Sequence, residues 1–150
     1  MNERKGLAAT LNPRRPGQAS PELRDASIAA LRRLREKTPE FKSAGLVGPD
    51  GFEIAAISSG GVEVTKLAAL TSTLVAVAEA FMLEAGLEKC RNVILESAHG
   101  PALLVSIPAG PATYGLFLIT GSDATLGRVL LNARGCAAEM QVILGTCGEE

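Results

Sequence analysis

The sequence predicts an α/β protein of the α+β type: a central five-stranded antiparallel sheet with helices on both faces, in the order αββαβββα. Three observations predict it. Turn signals at Pro49-Asp50-Gly51 and His99-Gly100 separate short apolar runs that pair as hairpins. Stretches with apolar residues three and four apart precede, interrupt and follow those runs. The run from Tyr114 to Thr120 is apolar on both sides, as a strand near the centre of a doubly covered sheet requires.

Ser20 and Pro21 open the first helix, a capping hydroxyl followed by proline at the first helical position. The helix runs to about Thr38, and Pro39 ends it. Its apolar line is Leu23, Ala26, Ala30, Leu31 and Leu34, and Arg24, Asp25, Arg32, Arg33, Arg35, Glu36 and Lys37 form a charged outer face. Ala44 to Val47 and Phe52 to Ile57 make the first hairpin. Ser58-Ser59-Gly60-Gly61 then breaks the chain.

The second helix spans Glu63 to Ala85 and is apolar nearly all round. One side carries Val64, Leu67, Leu70, Leu74, Val77, Phe81 and Met82. The other carries Thr65, Ala69, Ser72, Thr73, Ala76 and Ala80, all small where charge is usual. Small residues let a second helix approach closely. The reading is a core helix with Leu67, Leu74 and Phe81 on the sheet and its small face against a partner.

Asn92 to Ala98 and Ala102 to Ile107 form the second hairpin, Pro108 to Pro111 a loop, and Tyr114 to Thr120 the last strand. Gly121-Ser122-Asp123 caps a final helix whose apolar positions are Leu126, Val129, Leu130, Ala133, Ala137, Met140 and Leu144.

With 150 residues the chain is read as one domain at 21–144, a flexible basic leader at 1–20 and a short C-terminal tail at 145–150. The net charge of -1 and 3% aromatic content argue against nucleic acid as a partner. The leader holds Arg4, Lys5, Arg14 and Arg15 against Glu3. Cys90, Cys136 and Cys147 form no CxxC, which suits a reducing cytoplasm. Leu67 to Leu83 contains Thr71, Ser72, Thr73 and Glu79 and falls short of the roughly 20 apolar residues of a span, so no stable membrane insertion is expected.

The ordered set resembles the Roadblock family of dynein light chains and their bacterial relatives. Three stretches carry the likeness: Pro39 to Gly51 around the Asp-Gly turn, the alanine-rich middle helix after a polar loop, and Ser122-Asp123-Ala124-Thr125-Leu126-Gly127. The resemblance implies a profilin-like architecture and a homodimer made by pairing the third strand with its symmetry mate. The two middle helices would then lie side by side. Carried onto this sequence, the interface would comprise Thr65, Ala69, Ser72, Thr73, Ala76 and Ala80 of the helix and Val93, Leu95 and Ser97 of the strand. Family members act as scaffolds and regulators of Ras-like GTPases, including a GTPase-activating protein of bacterial gliding motility.

No residue pattern points to catalysis. His99 is the only histidine and sits in a turn, without the orienting partner that a general base needs. Neither a metal ligand set nor a bound cofactor is expected. Ser58 to Gly61 precedes a helix, as phosphate cradles do, but Lys66 follows no glycine and the phosphate-loop pattern fails. Arg128 and Arg134 read as solvated surface, and the resemblance implies action on GTPase switch regions without an inserted arginine. Together with these readings, the resemblance implies a non-enzymatic cytoplasmic homodimer that binds a Ras-like small GTPase. The alternatives are a scaffold without GTPase effect and a small-molecule sensor domain, which needs a roomy pocket with convergent polar groups.

Overall fold

The computed structural model describes residues 19–147. The leader cations Arg4, Lys5, Arg14 and Arg15, and tail residues 148–150, lie outside the described residues. The elements in chain order are α1 (Pro21–Lys37), β1 (Phe41–Val47), β2 (Glu53–Ser58), α2 (Val64–Glu84), β3 (Asn92–Leu95), β4 (Ala102–Ala109), β5 (Ala112–Thr120) and α3 (Leu126–Cys147). One antiparallel sheet has the spatial order β2-β1-β5-β4-β3. The expected αββαβββα order and helix-covered sheet are therefore present, with β5 at the centre.

The sheet separates two apolar layers. On one face α1 and α3 bury Leu23, Ala30, Leu31, Leu34, Val129, Ala133, Met140 and Leu144 against Leu46, Leu103, Leu116 and Leu118. On the other, α2 covers Val47, Leu104 and Phe117 with Ala68 and Val75. Alternate residues of β5 thus serve the two layers, Leu116 and Leu118 on one and Phe117 on the other. Within the first layer, Arg33 of α1 donates to Glu139 of α3 through Nε at 3.0 Å and Nη2 at 2.6 Å.

Local chemistry sets the boundaries. The Ser20 hydroxyl accepts from the Leu23 N–H at 3.2 Å, so α1 begins where the cap predicts. Ser27 is fully buried on α1, adding a polar position to a line the sequence shows as apolar. β1 begins at Phe41, three residues before the expected start, because Phe41 pairs with Thr120 of β5.

The expected 108–111 loop shrinks to Gly110 and Pro111, since Pro108 pairs with Thr113 and Ala109 with Ala112. Proline fits there because β3 reaches only as far along β4 as Val105. α3 begins at Leu126 rather than at the expected Ser122-Asp123 cap; Gly121 to Ala124 forms a turn closed by the Ala124 N–H on the Gly121 carbonyl at 3.2 Å.

Gly45 marks the tightest point of the second layer. A Cβ there would collide with the Phe117 ring, so the glycine makes room for the largest side chain under α2. At Gly115 an added Cβ would sit 3.1 Å from the Thr71 methyl, which measures how closely helix and sheet approach.

Candidate partner interface

The site begins with the orientation of α2. Its buried residues are Ala68, Thr71 and Val75, with Val64 and Leu67 packed at the margin. The small residues at 68 and 71 let the helix lie close over Phe117 and Gly115. This corrects the expected orientation. Leu67 does meet the sheet-side cluster, but Leu74 and Phe81 do not; Phe81 is 69% exposed. Leu70, Leu74, Val77 and Phe81 make an uncovered apolar stripe, with Val77 60% exposed.

The predicted small residues lie on the opposite flank. Thr65, Ala69, Thr73, Ala76 and Ala80 are exposed and Ser72 is half-buried. Part of that flank meets the same chain. Ser72 and Ala69 back onto the β1–β2 turn, where a Cβ added at Gly51 would lie 3.7 Å from Ser72 Cβ. Ser72 and Ala76 also border a small cleft against Gly48 and Pro49. The outer surface of α2 therefore has a small shoulder and a large apolar ridge side by side.

Length and composition alone would let α2 cross a bilayer. It has 21 residues, is apolar along most of its length and is largely unburied. The helix extends beyond the 67–83 stretch at both ends, so length does not exclude a span, contrary to expectation. The topology places both ends of the helix differently from those of a span: α2 joins β2 to β3 of one sheet and packs on β1, β2 and β5.

β3 lies at the sheet edge and pairs only with β4, so one side of its backbone is free. Val93 is half-buried under α2, while Ile94 and Leu95 are 38% and 42% exposed. The strand is shorter than the expected Asn92 to Ala98. Ser97 lies in the following turn, not in the strand: its Oγ donates to the Gly100 carbonyl at 2.9 Å and accepts from the His99 N–H at 3.1 Å. That turn is tight. Gly100 has φ of 114°, and a Cβ there would collide with the Gly121 carbonyl.

A groove of about 1080 Å³ opens between the end of α2, the 87–91 loop and the end of β4. Met82, Leu83, Leu87 and Val105 supply its apolar wall, and Arg91, Ser106 and Arg134 its polar rim. Arg134 Nη2 donates to Asn92 Oδ1 at 3.1 Å, tying α3 to the start of β3. Arg134 is expected as solvated surface from the sequence; its bond to Asn92 follows from the fold, since 42 residues separate the two. Arg128 is exposed.

The other weighed features lie apart from this surface or are chemically quiet. His99 is exposed in its turn. Gly60 and Gly61 adopt φ of 99° and 75° in the loop before α2, and the Ser59 hydroxyl donates to the Lys42 carbonyl. Burial, reinforced by Glu139, pushes the Cys136 thiol up to about 12, and burial with nearby Glu79 raises Cys90. Both are poor nucleophiles on that account. Among the described residues no three His, Cys, Asp or Glu side chains cluster as a metal site requires. The geometry offers adhesion: an apolar helix ridge and a free strand edge, close together.

Comparison with known proteins gives a consistent result. The Roadblock/LC7 domain model matches residues 28–113. An uncharacterized protein of Methanocaldococcus jannaschii is 26% identical over 107 residues, covering 71% of this chain and 90% of that protein. Among solved structures, Myxococcus xanthus MglB superposes with a TM-score of 0.73 at 23% identity, over 85% of this chain and 93% of that one. An MglB described as having a tetrameric arrangement gives a TM-score of 0.74 at 19% identity, over 87% and 93%. At these identities the structural likeness speaks to the fold.

Proposed function

The chain belongs to the Roadblock/LC7 domain family, and from that premise we propose that it is a cytoplasmic, non-enzymatic homodimer that binds and regulates a Ras-like small GTPase. One observation carries the assembly: the exposed ridge of Leu70, Leu74, Val77 and Phe81 beside the free edge of β3. A water-exposed apolar face on this scale marks an interaction surface. A second copy satisfies helix and strand together, pairing β3 with β3 while the two α2 helices meet on one face of the continuous sheet.

The corrected helix orientation alters the expected seam. The large ridge takes the centre, and the small shoulder of Ala69, Thr73, Ala76 and Ala80 lets the helices come close at its margin. The membrane is the less fitting occupant, because insertion of α2 would strip Ala68, Thr71 and Val75 from the sheet.

The GTPase role is supported by the family resemblance and by the MglB structures among the fold neighbours. Regulation without catalytic residues means that the dimer acts by binding the GTPase surface and favouring one arrangement of its switch segments. The test is GTP hydrolysis by the cognate GTPase, measured with and without this protein. A rate change that tracks dimer concentration supports regulation. Binding with no change in hydrolysis or exchange favours the scaffold reading. The groove beneath the end of α2 is the observation behind the sensor reading, and a thermal-shift screen tests it: one nucleotide or metabolite giving a clear, saturable shift would favour it.

A further inference from the structure

The free edge of β3 contains enough information to fix how two copies would align. Ser106 N–H donates to the Arg91 carbonyl at 2.9 Å, and Asn92 to Leu95 pair in register with Val105 to Ala102. Backbone groups alternate along a strand, so those of Arg91, Val93 and Leu95 point to β4. Those of Asn92 and Ile94 point to the open side, and continuing the strand one residue past Leu95 would turn those of Glu96 the same way. Side chains alternate as well. Val93 packs beneath α2, whereas Asn92 meets Arg134 of α3 on the opposite face. Leu95 therefore joins Val93 on the α2 face and Ile94 joins Asn92 on the α3 face; strand pairing extended by one residue would put Glu96 on the α3 face too.

Residues directly opposed across an antiparallel pair share a face of the sheet. A twofold dimer must consequently place one residue opposite its own copy. Centring on Val93 sets Asn92 against Ile94 of a second copy and Arg91 against Leu95, polar on apolar twice. Centring on Leu95 sets Ile94 against Glu96 and Val93 against Ser97. Centring on Ile94 sets Ile94 on itself and Val93 on Leu95, apolar on apolar on both faces. It also sets Asn92 against Glu96 and uses all three outward-pointing residues in the hydrogen-bonded pairs.

We propose that this centred register builds the dimer, with Ile94 on the twofold axis and Glu96 of each copy closing on the Asn92–Arg134 pair of the other. The proposal rests on the β3-paired homodimer proposed above. Arg134 is exposed and bonded to a neutral amide, and neither it nor Glu96 has an ion-pair partner among the described residues. A second copy thus supplies the carboxylate that the cation lacks, and supplies it twice per dimer. A guanidinium held by Asn92 is already oriented, so the intersubunit pair also fixes register.

A charge swap tests it by sedimentation equilibrium. Glu96→Arg and Arg134→Glu should each raise the dimer dissociation constant about tenfold or more, since each sets like charges together where strand end meets helix, and the contact occurs twice. The double swap should recover most of that loss. A second measurement avoids charge. With Cys147→Ser as background, Ile94→Cys should oxidise to a covalent dimer, because directly opposed hydrogen-bonded residues have Cα atoms about 5.5 Å apart. Val93→Cys should cross-link less. A wild-type dimer unaffected by either reversal, not rescued by the swap, or cross-linking better at Val93 overturns the register while leaving the dimer intact. A monomeric wild type overturns both.

Discussion

At the scale of single residues, the small positions decide how the layers fit. Gly45 lies beneath the Phe117 ring, and Phe117 supplies the bulk of the layer under α2. Gly45→Ala should destabilise the fold by about 1–3 kcal/mol, the cost of overpacking a filled core. Chemical denaturation checks this, and an unchanged midpoint would show that the ring has room to move. Ser27 is the converse case. Its hydroxyl is fully buried on α1 with no hydrogen-bond partner. Ser27→Ala should be neutral or stabilising by up to ~1 kcal/mol, because it removes a polar atom that folding leaves unpaired. A clear loss of stability would mean that the hydroxyl has a partner. Neither position was legible in the sequence. Gly45 follows an alanine in a strand and Ser27 follows one in a helix, and only the neighbours brought by the fold give them these roles.

At the scale of elements, legibility depended on contrast. β5 was readable as the central strand because its apolar run serves two layers, and Leu116, Phe117 and Leu118 are divided between them. α1 was readable because its Ser20 cap and charged outer face agree. α2 gave no such contrast. It is apolar on nearly every side, so periodicity could not say which side is buried. The opposing sheet settled the matter: with Phe117 filling the layer, the helix fits by offering Ala68 and Thr71 and leaves Leu70, Val77 and Phe81 outside. Alternation overextends β3, because the Ser97 side-chain bonds that turn the chain are a local competition it does not reveal.

The helix orientation makes a paired prediction. Val77→Glu should break the dimer, since it places a charge at the centre of the ridge, while the monomer keeps its fold because Val77 packs nothing within its own chain's core. Ala76→Glu, on the shoulder beside Gly48 and Pro49, should weaken the dimer less. Dissociation constants from sedimentation, with circular dichroism as the folding check, separate the two; the reverse ranking would return the seam to the small residues.

At the scale of the molecule, two helices cover one face of the sheet and one helix covers the other. α1 and α3 close the first layer, with an ion pair between Arg33 and Glu139 across their outer side. The second layer has only α2, and that helix leaves an apolar surface beside an unpaired strand edge. Sequence order and punctuation were enough to foresee the family fold. Which side of α2 stays exposed required the structure. Light scattering coupled to size-exclusion chromatography tests the central claim most directly. The predicted result at micromolar concentration is a single species of twice the 15.5 kDa chain mass, converted to monomer by Val77→Glu. A stable wild-type monomer at that concentration would contradict the account.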